Sequence, residues 1–267
     1  MKNEFMTDAE YEECFMDFWG IRAKIATALI PYGLQSGVFV LDVPSGHGLL
    51  AYEVAKIIQK GEIHAIGLKN DLETFHRFSR SLKTKKEREP LNLIRYHVMD
   101  ATQLTFPIGK FDFIVNFLGL EDINMTKGVQ GVKLSLAEFI RVLKQDGIIQ
   151  LTLWLEGNEP DEVLAKEIHE FIGFNAIFYP KKFYVQELEN LGVEILGEKW
   201  FYTQRKMTAV QAKEELYFAC TETAKIFREY NIQTVSFEEL WEKFGNQIET
   251  HGMAYYSDLC VLIGRKR

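Results

Sequence analysis

The stretch "VLDVPSGHGLL", residues 40–50, carries the strongest signal for the fold. Its first apolar run ends at Asp42, and Pro44 and two glycines, Gly46 and Gly48, follow before a second apolar run begins. Glycine has no Cβ atom, so a backbone built from it can approach a ligand closely. The free N–H groups at the start of a following helix attract a carboxylate or a phosphate. The stretch predicts a strand, a ligand-binding loop and a helix, although tight turns use the same glycines.

Apolar runs and amphipathic stretches alternate along the chain as far as Leu155. We expect strands at "VFVLDV", "EIHAIGL", "LNLIRYHVM", "FDFIVNFL" and "IIQLTLWL", with helices at "LLAYEVAKIIQK", "DLETFHRFSRSLKTK" and "KLSLAEFIRVLKQDG". Strands that alternate with helices indicate a parallel sheet with right-handed crossovers. Ligands bind such sheets at the carboxyl ends of the strands.

Composition narrows the class of function. The 267 residues are 47% hydrophobic and 26% charged, with a formal net charge of −7, which is typical of a globular protein without a nucleic-acid footprint. The one basic run, Lys83–Arg88, is interpreted as a solvated turn. Cys14, Cys220 and Cys260 are too far apart for a disulfide framework or a metal site. With an acidic start and no apolar run of membrane-span length, we expect a reducing, cytoplasmic setting without signal peptide, metal, nucleic acid or membrane.

Three segments together resemble the class I S-adenosylmethionine-dependent methyltransferases. "LDVPSGHG" stands where that family has an acidic residue followed by spaced glycines, "DATQLTFPIGKFDFIV" resembles its third-to-fourth-strand signature, and "RVLKQDG" resembles its helix before the fifth strand. The resemblance covers about Gly37–Leu155. It implies an α/β fold: a Rossmann-like, seven-stranded, mostly parallel sheet with helices on both faces, binding S-adenosyl-L-methionine.

The resemblance assigns roles in the glycine loop. Asp42 would reach the methionine end of the cofactor, directly or through the loop, and Gly46 and Gly48 would let the backbone pass beneath it. Pro44 stands in place of the family's first glycine, where it fixes φ near −65° and removes an N–H. The alternative for Asp42 is a purely structural role at the strand end.

The resemblance also assigns roles after the third and fourth strands. Asp100, taken as the end of strand three, would accept from the adenine amino group, and the N–H of Ala101 would face the ring. Asn116 lies where a fourth-strand carbonyl meets the methionine part of the cofactor. The alternative for Asp100 is an ordinary turn aspartate.

The family's ribose-binding acid, at the end of strand two, has no counterpart in this interpretation. "AIGLKND" puts Lys69 in that place, and a lysine only donates hydrogen bonds. Asn70 offers a carbonyl acceptor, while Asp71 is expected to cap the next helix. Lys69 also suits the 2′-phosphate of NADP, because "GHGLLA" matches a dinucleotide fingerprint. An NADP-dependent oxidoreductase and a non-catalytic scaffold therefore stay open as alternatives.

The remaining segments predict where a substrate would bind. We expect one domain over residues 1–267, a capping helix over about 8–30 with Tyr11, Phe15 and Trp19, and a helical lid over about 203–253. Helices are also expected at "DEVLAKEIHEFIGF" and "VQELENLG", and strands at "VEILGEKWFYTQ" and "SDLCVLIGRK". The aromatic residues of these segments suit ordinary core packing equally well.

Methyl transfer needs an in-line nucleophile held close to the methyl group and shielded from water, so few residues are obligatory. If a base is used, His251, just before the last strand, is the first candidate, followed by Glu121 and Asp122 after strand four. The lid and the absence of a basic surface favour a small-molecule acceptor. The sequence decides neither the acceptor atom nor the oligomeric state.

Overall fold

The computed structural model describes residues 16–155, 160–173, 178–202, 207–254 and 258–267. They form a seven-stranded sheet in the order β3-β2-β1-β4-β5-β7-β6, in which only β7 runs antiparallel to its neighbours. The strands are β1 (Phe39–Asp42), β2 (Glu62–Gly67), β3 (Ile94–Val98), β4 (Phe111–Phe117), β5 (Leu143–Leu153), β6 (Val193–Tyr202) and β7 (Asp258–Lys266).

The helices of the described residues fill the connections. They are α1 (Met16–Ala28), α2 (Leu49–Ile58), α3 (Lys69–Ser81), α4 (Lys85–Arg88), α5 (Gly119–Val142), α6 (Pro160–Ile172), α7 (Lys181–Asn190), α8 (Ala209–Phe218), α9 (Ala224–Glu229) and α10 (Phe237–His251). Short 3₁₀ turns lie at Ile30–Tyr32 and Glu89–Leu93, and a π-helical turn at Ala219–Thr223 joins α8 to α9. The helical conformation of α5 is interrupted at Gly128.

Helices cover both faces of the sheet, as the sequence predicts. One buried cluster joins apolar residues of α1, α2, α6, α8 and α10 to β1, for example Ile25, Val54, Ile168, Leu216 and Ile248. A second cluster joins α5 and α7 to the other face, for example Phe139, Leu136, Tyr184 and Leu188. Burial of these side chains, worth roughly 1.5–3 kcal/mol each, holds the layers together.

The switch point of the sheet lies at β1. This strand pairs in parallel with β2 on one side and with β4 on the other, so that Asp42 lies level with Ala65 and Val115. The connection after β1 therefore opens where strand order reverses, the usual ligand position in such sheets. Leu118, the N-cap of α5, has φ of +60°, an uncommon conformation for a non-glycine residue, at the same edge.

Two predicted accessory segments are helical where they are described. Helix α1 begins at Met16, while Tyr11, Phe15 and Cys14 lie outside the described residues, as does the side chain of Trp19. Helices α8–α10 fill the connection between β6 and β7, and their role as a lid stays a prediction. Cys220 and Cys260 are buried free thiols. In the described part of the chain, no helix is long and apolar enough to cross a membrane.

Candidate functional site

The Asp42 side chain organises the loop after β1. One carboxylate oxygen, Oδ2, accepts from the Ser45 hydroxyl at 2.5 Å and from the Ala51 N–H at 3.0 Å. The other, Oδ1, has no hydrogen-bond partner among the described residues, although Asp42 is fully buried. Burial raises the pKa of this carboxyl to about 7, against the opposing effect of Ser45, Ala51 and Arg22. Asp42 thus fixes the loop with one oxygen and keeps one acceptor free.

The two glycines of the loop serve different purposes. Gly46 has φ of +49°, and a Cβ built on it would meet nothing within 4 Å. Gly48 has φ of +77°, and its Cβ would lie 2.6 Å from the Phe75 ring of α3. Gly46 therefore leaves open space above the loop, whereas Gly48 permits close packing of the loop against a helix.

Pro44 has a packing role that the sequence did not reveal. Its ring lies directly against Gly119, the first residue of α5, where an added Cβ would stand 2.7 Å from Pro44 Cδ. The loop after β1 and the start of α5 are therefore in direct contact.

Asn116 lies in β4 beside that contact and is fully buried. Its side-chain N–H donates to the Val43 carbonyl at 2.9 Å, and its Oδ1 has no partner among the described residues. Its backbone carbonyl accepts from the Gln150 amide at 3.1 Å. The side-chain oxygen at this position is thus a free acceptor, and contact of the backbone carbonyl with the cofactor stays a prediction.

The predicted end of strand two needs a correction. β2 ends at Gly67, one residue before the predicted end, and Lys69 and Asn70 are the exposed first residues of α3; their contact with the cofactor stays a prediction. The prediction of Asp71 as the N-cap is wrong, because Leu68 is the N-cap; Asp71 stands at the third helical position and accepts from the Leu68 N–H at 2.7 Å. Because no polar residue marks the end of "HAIGL", the sequence placed the end of the strand one residue late.

Tyr96, in β3, is a site residue that sequence reasoning missed. Its hydroxyl donates to the Gly46 carbonyl, and a Cβ on Gly67 would collide with it. Burial, followed by the charges of Asp71 and Asp42, raises the pKa of this phenol. A glycine at the end of a strand often marks close approach of another group, so Gly67 was the available signal.

Asp100 also needs a correction of register. β3 ends at Val98, and Asp100 lies in the following turn, where Oδ1 accepts from the Thr102 N–H at 2.8 Å and hydroxyl at 2.7 Å, and Oδ2 pairs with Lys127. Partial burial opposes ionisation, but the hydrogen bonds from Lys127 and Thr102 outweigh it and hold the pKa of Asp100 below its usual range. Ala101 is buried in the core. Adenine recognition by this pair stays a prediction.

Glu121, in the first turn of α5, is a buried carboxyl with one free oxygen. Oε1 accepts from the Trp154 N–H at 2.8 Å, and Oε2 has no partner among the described residues. Burial raises the pKa of Glu121 to about 8, the hydrogen bond from Trp154 opposing and the Asp122 charge adding. His251 is the exposed last residue of α10, and in the described part of the chain its imidazole makes no hydrogen bond to the other candidates.

Acidic groups converge at the edge where β1, β2 and β4 end. Burial raises the pKa of Asp71, while the Leu68 N–H and the charge of His47, in the loop after β1, lower it. Asp122, in α5, has an exposed side chain, and the charge of the Asp71 carboxylate acts to raise its pKa. Asp71 thus interacts with groups on both sides of the switch point, and with Asp42 and Asp122 it makes this edge favourable for a cation.

The fold and these groups together define an α/β protein with a candidate ligand site at the carboxyl edge of its parallel strands. Residues 41–151 match the family model described as "Methyltransferase domain". The match spans 111 of the 267 residues, and with the sheet order it supports a class I S-adenosylmethionine-dependent methyltransferase, a family that uses S-adenosylmethionine as cofactor. No curated protein matches the chain by sequence.

Solved structures share the fold at low sequence identity. The YcgJ protein from Bacillus subtilis is 16% identical over 93% of this chain and 97% of its own, with a TM-score of 0.58. The [4+2]-cyclase SpnF is 18% identical over 91% of this chain and 80% of its own, with a TM-score of 0.59. Phosphoethanolamine N-methyltransferase 2 from Haemonchus contortus, solved with phosphomonomethylethanolamine and S-adenosylhomocysteine, is 16% identical over 91% of this chain and 52% of its own, with a TM-score of 0.51.

The residues present fit the cofactor that the family uses. Asp42 Oδ1 and Asn116 Oδ1 are buried acceptors that need a donor, and the space above Gly46 allows a ligand to approach the backbone. Within the described residues, no group of three or more His, Cys, Asp or Glu side chains forms a metal site.

Proposed function

We propose that the protein transfers the methyl group of S-adenosylmethionine to a small-molecule acceptor, with Gly46 as the floor of the cofactor site. The observation that carries this proposal is the open space around a Cβ on Gly46, in the loop that Asp42 fixes through Ser45 and Ala51. When bound, the cofactor supplies an activated methyl group on a positively charged sulfur.

The chain's own groups suit such a ligand. Asp42 keeps the loop rigid through Ser45 and Ala51, so binding does not have to order it. The carboxylates of Asp71 and Asp122 attract a cation by Coulomb's law at any effective dielectric. A ligand donor that reaches Asp42 Oδ1 or Asn116 Oδ1 relieves an unpaired buried acceptor, a gain of about 1–3 kcal/mol.

Glu121 is the group best placed to hold a proton if the acceptor must lose one. The Trp154 N–H fixes one carboxylate oxygen, and the other stays available. A pKa of about 8 lets this carboxyl exchange its proton near neutral pH, as general acid–base catalysis requires. His251 is the second candidate, since the helix that carries it belongs to the proposed lid. Positioning alone can account for roughly 7–11 kcal/mol of the barrier reduction.

A small-molecule acceptor is supported by the helical insertion and by the solved structures. Helices α8–α10 lie in the chain connection from β6 to β7, and a long insertion in a compact domain is usually functional. The Haemonchus contortus enzyme was solved with phosphomonomethylethanolamine, a small molecule. SpnF, titled a [4+2]-cyclase, has the same fold, so the fold alone does not fix the reaction.

The test is an isotope-transfer experiment. The protein is incubated with S-adenosylmethionine carrying a labelled methyl group and with a cell extract, and the label is followed by mass spectrometry. We expect label in the small-molecule ultrafiltrate, and label confined to protein or nucleic acid contradicts the proposed acceptor class. A thermal-shift comparison runs beside it: stabilisation by NADPH but not by S-adenosylhomocysteine would favour the oxidoreductase instead, and stabilisation by neither would favour the scaffold.

A further inference from the structure

We propose that the groove between the end of α3 and α4 binds a small molecule through its phosphate or diphosphate group, at a site separate from that of the cofactor. The groove has a volume of about 450 Å³ and is lined by His76, Ser79, Arg80 and Arg88. That volume lies in the range of small-molecule sites, about 300–1,000 Å³. The inference is independent of the proposed function.

The segment around the groove is strongly basic in an otherwise acidic chain. Residues 76–88 contain six of the 31 Lys and Arg residues and one of the 38 Asp and Glu residues, a formal charge of +5 in a chain of −7. The one acid, Glu87, accepts from two backbone N–H groups at the start of α4. Glu73 and Glu89 flank the segment, and neither is among the described residues that line the groove. This end of α3 therefore attracts an anion.

Two arginines of the groove are held so that their outer nitrogens stay available. Arg80 Nε donates to the His76 carbonyl at 3.1 Å, and Arg88 Nε donates to the Leu82 carbonyl at 2.7 Å. In the described part of the chain, the Nη atoms of these two side chains make no further hydrogen bond. Because the backbone contacts already restrict both side chains, less conformational freedom is lost when an anion binds.

The donor set favours a phosphate over a carboxylate. A guanidinium presents its donors as a planar fork, and the two oxygens of a carboxylate match a single fork. A phosphomonoester has three terminal oxygens and nearly two negative charges at neutral pH, enough for both arginines. The Ser79 hydroxyl donates to the Phe75 carbonyl at 2.8 Å, which leaves its oxygen as an acceptor for a hydroxyl of the same ligand.

The groove lies away from the edge of the sheet where the cofactor is proposed to bind. Arg80 follows Asp71 by nine residues in α3, about 14 Å along the helix axis. Tyr52, in α2, contacts both helices of the groove: its ring packs edge-on against Phe78 at 5.2 Å between centroids, and its hydroxyl donates to the Glu87 carbonyl at 2.9 Å. Tyr52 therefore fixes the spacing of α3 and α4.

The test uses pyrophosphate, a diphosphate without an organic part, as the probe. Calorimetry at about 0.15 M salt measures its affinity for the wild type and for two double variants, Arg80→Gln with Arg88→Gln and Lys85→Gln with Lys86→Gln. Both remove two positive charges from the same exposed segment, but only the arginines line the groove. We expect the arginine pair to weaken binding at least about tenfold and the lysine pair less than about threefold.

A third variant separates the shape of the donors from their charge. Arg80→Lys with Arg88→Lys keeps both charges and removes both forks, and we expect it to weaken pyrophosphate at least about fivefold. If the glutamine pair does not fold, this variant carries the test against the same lysine control. The affinity for S-adenosylhomocysteine should stay unchanged in every variant.

The outcomes are distinct. Absence of pyrophosphate binding by the wild type, or equal weakening by the arginine and lysine pairs, overturns the site. Binding of a single-stranded RNA oligonucleotide without binding of pyrophosphate overturns the small-molecule ligand and assigns the basic segment to nucleic acid. Loss of S-adenosylhomocysteine affinity in the arginine pair overturns the separation of the two sites.

Discussion

Replacing Glu121 by glutamine should make the stability of the protein less sensitive to alkaline pH. Burial raises the pKa of Glu121 from 4.5 to about 8, so the folded state keeps a proton that the unfolded state releases. The stabilisation from this group is complete below the unfolded value and is lost as pH rises through the folded value. At about 1.4 kcal/mol per pH unit, the wild type loses about 3 kcal/mol between about pH 5 and about pH 8 through this residue.

Urea denaturation at a series of pH values measures this loss. The free energy of unfolding of Glu121→Gln, minus that of the wild type, should increase by about 3 kcal/mol across the interval, because glutamine does not ionise. Other titrating groups cancel in the difference. Glu73→Gln, an exposed change on α3, is the control and should give a flat difference. A difference for Glu121→Gln that stays flat or falls with pH would refute the assignment of Glu121 as a buried carboxyl without a second partner.

Two further predictions concern the loops around the site. Asp100→Ala should weaken S-adenosylhomocysteine binding by about 1–3 kcal/mol in calorimetry. Asp112→Ala is the control, because it also removes a carboxylate bound to a lysine and to a backbone N–H, and it should leave the affinity unchanged. Equal effects of the two substitutions would contradict a role of Asp100 in adenine binding. Gly119→Ala should lower the free energy of unfolding by about 1–3 kcal/mol, because the new Cβ would collide with the Pro44 ring. Adding Pro44→Ala should restore part of the lost melting temperature. If the second substitution restores nothing, the collision with Pro44 is not the cause of the loss.

Most of the fold was predictable because the apolar runs are short and clearly bounded. The run "VFVLDV" covers residues 38–43, and the structure ends β1 at Asp42, one residue before the end of that run. The sequence analysis ended a helix at Gly147 and began the fifth strand after it, whereas in the structure β5 already begins at Leu143. The first half of α5 was missed because "GLEDINMTKG" lacks a continuous apolar face and is broken at Gly128.

The site was harder to predict because its geometry depends on contacts between distant elements. Local sequence placed Asp42 and Asn116 near the carboxyl ends of two strands and Gly46 in the loop after the first, which is where the structure has them; their contacts with the cofactor stay predictions. It could not show that Tyr96 from β3 reaches over Gly67, since these residues meet only when two strands pair. The role of Lys69, and with it the argument for an NADP phosphate, stays a prediction, since Lys69 follows the end of β2 by two residues.

The central claim, that the cofactor lies against the backbone of Gly46, is tested most directly by calorimetry of Gly46→Ala with S-adenosylhomocysteine. The left-handed φ of Gly46 costs an alanine about 1–2 kcal/mol, and the new Cβ meets nothing within 4 Å. Gly109→Ala is the matched control, with φ of +65° and a nearest contact of 3.9 Å. We predict similar losses of melting temperature in both variants and an affinity at least about tenfold weaker in Gly46→Ala alone. Wild-type affinity in a folded Gly46→Ala variant would contradict the account.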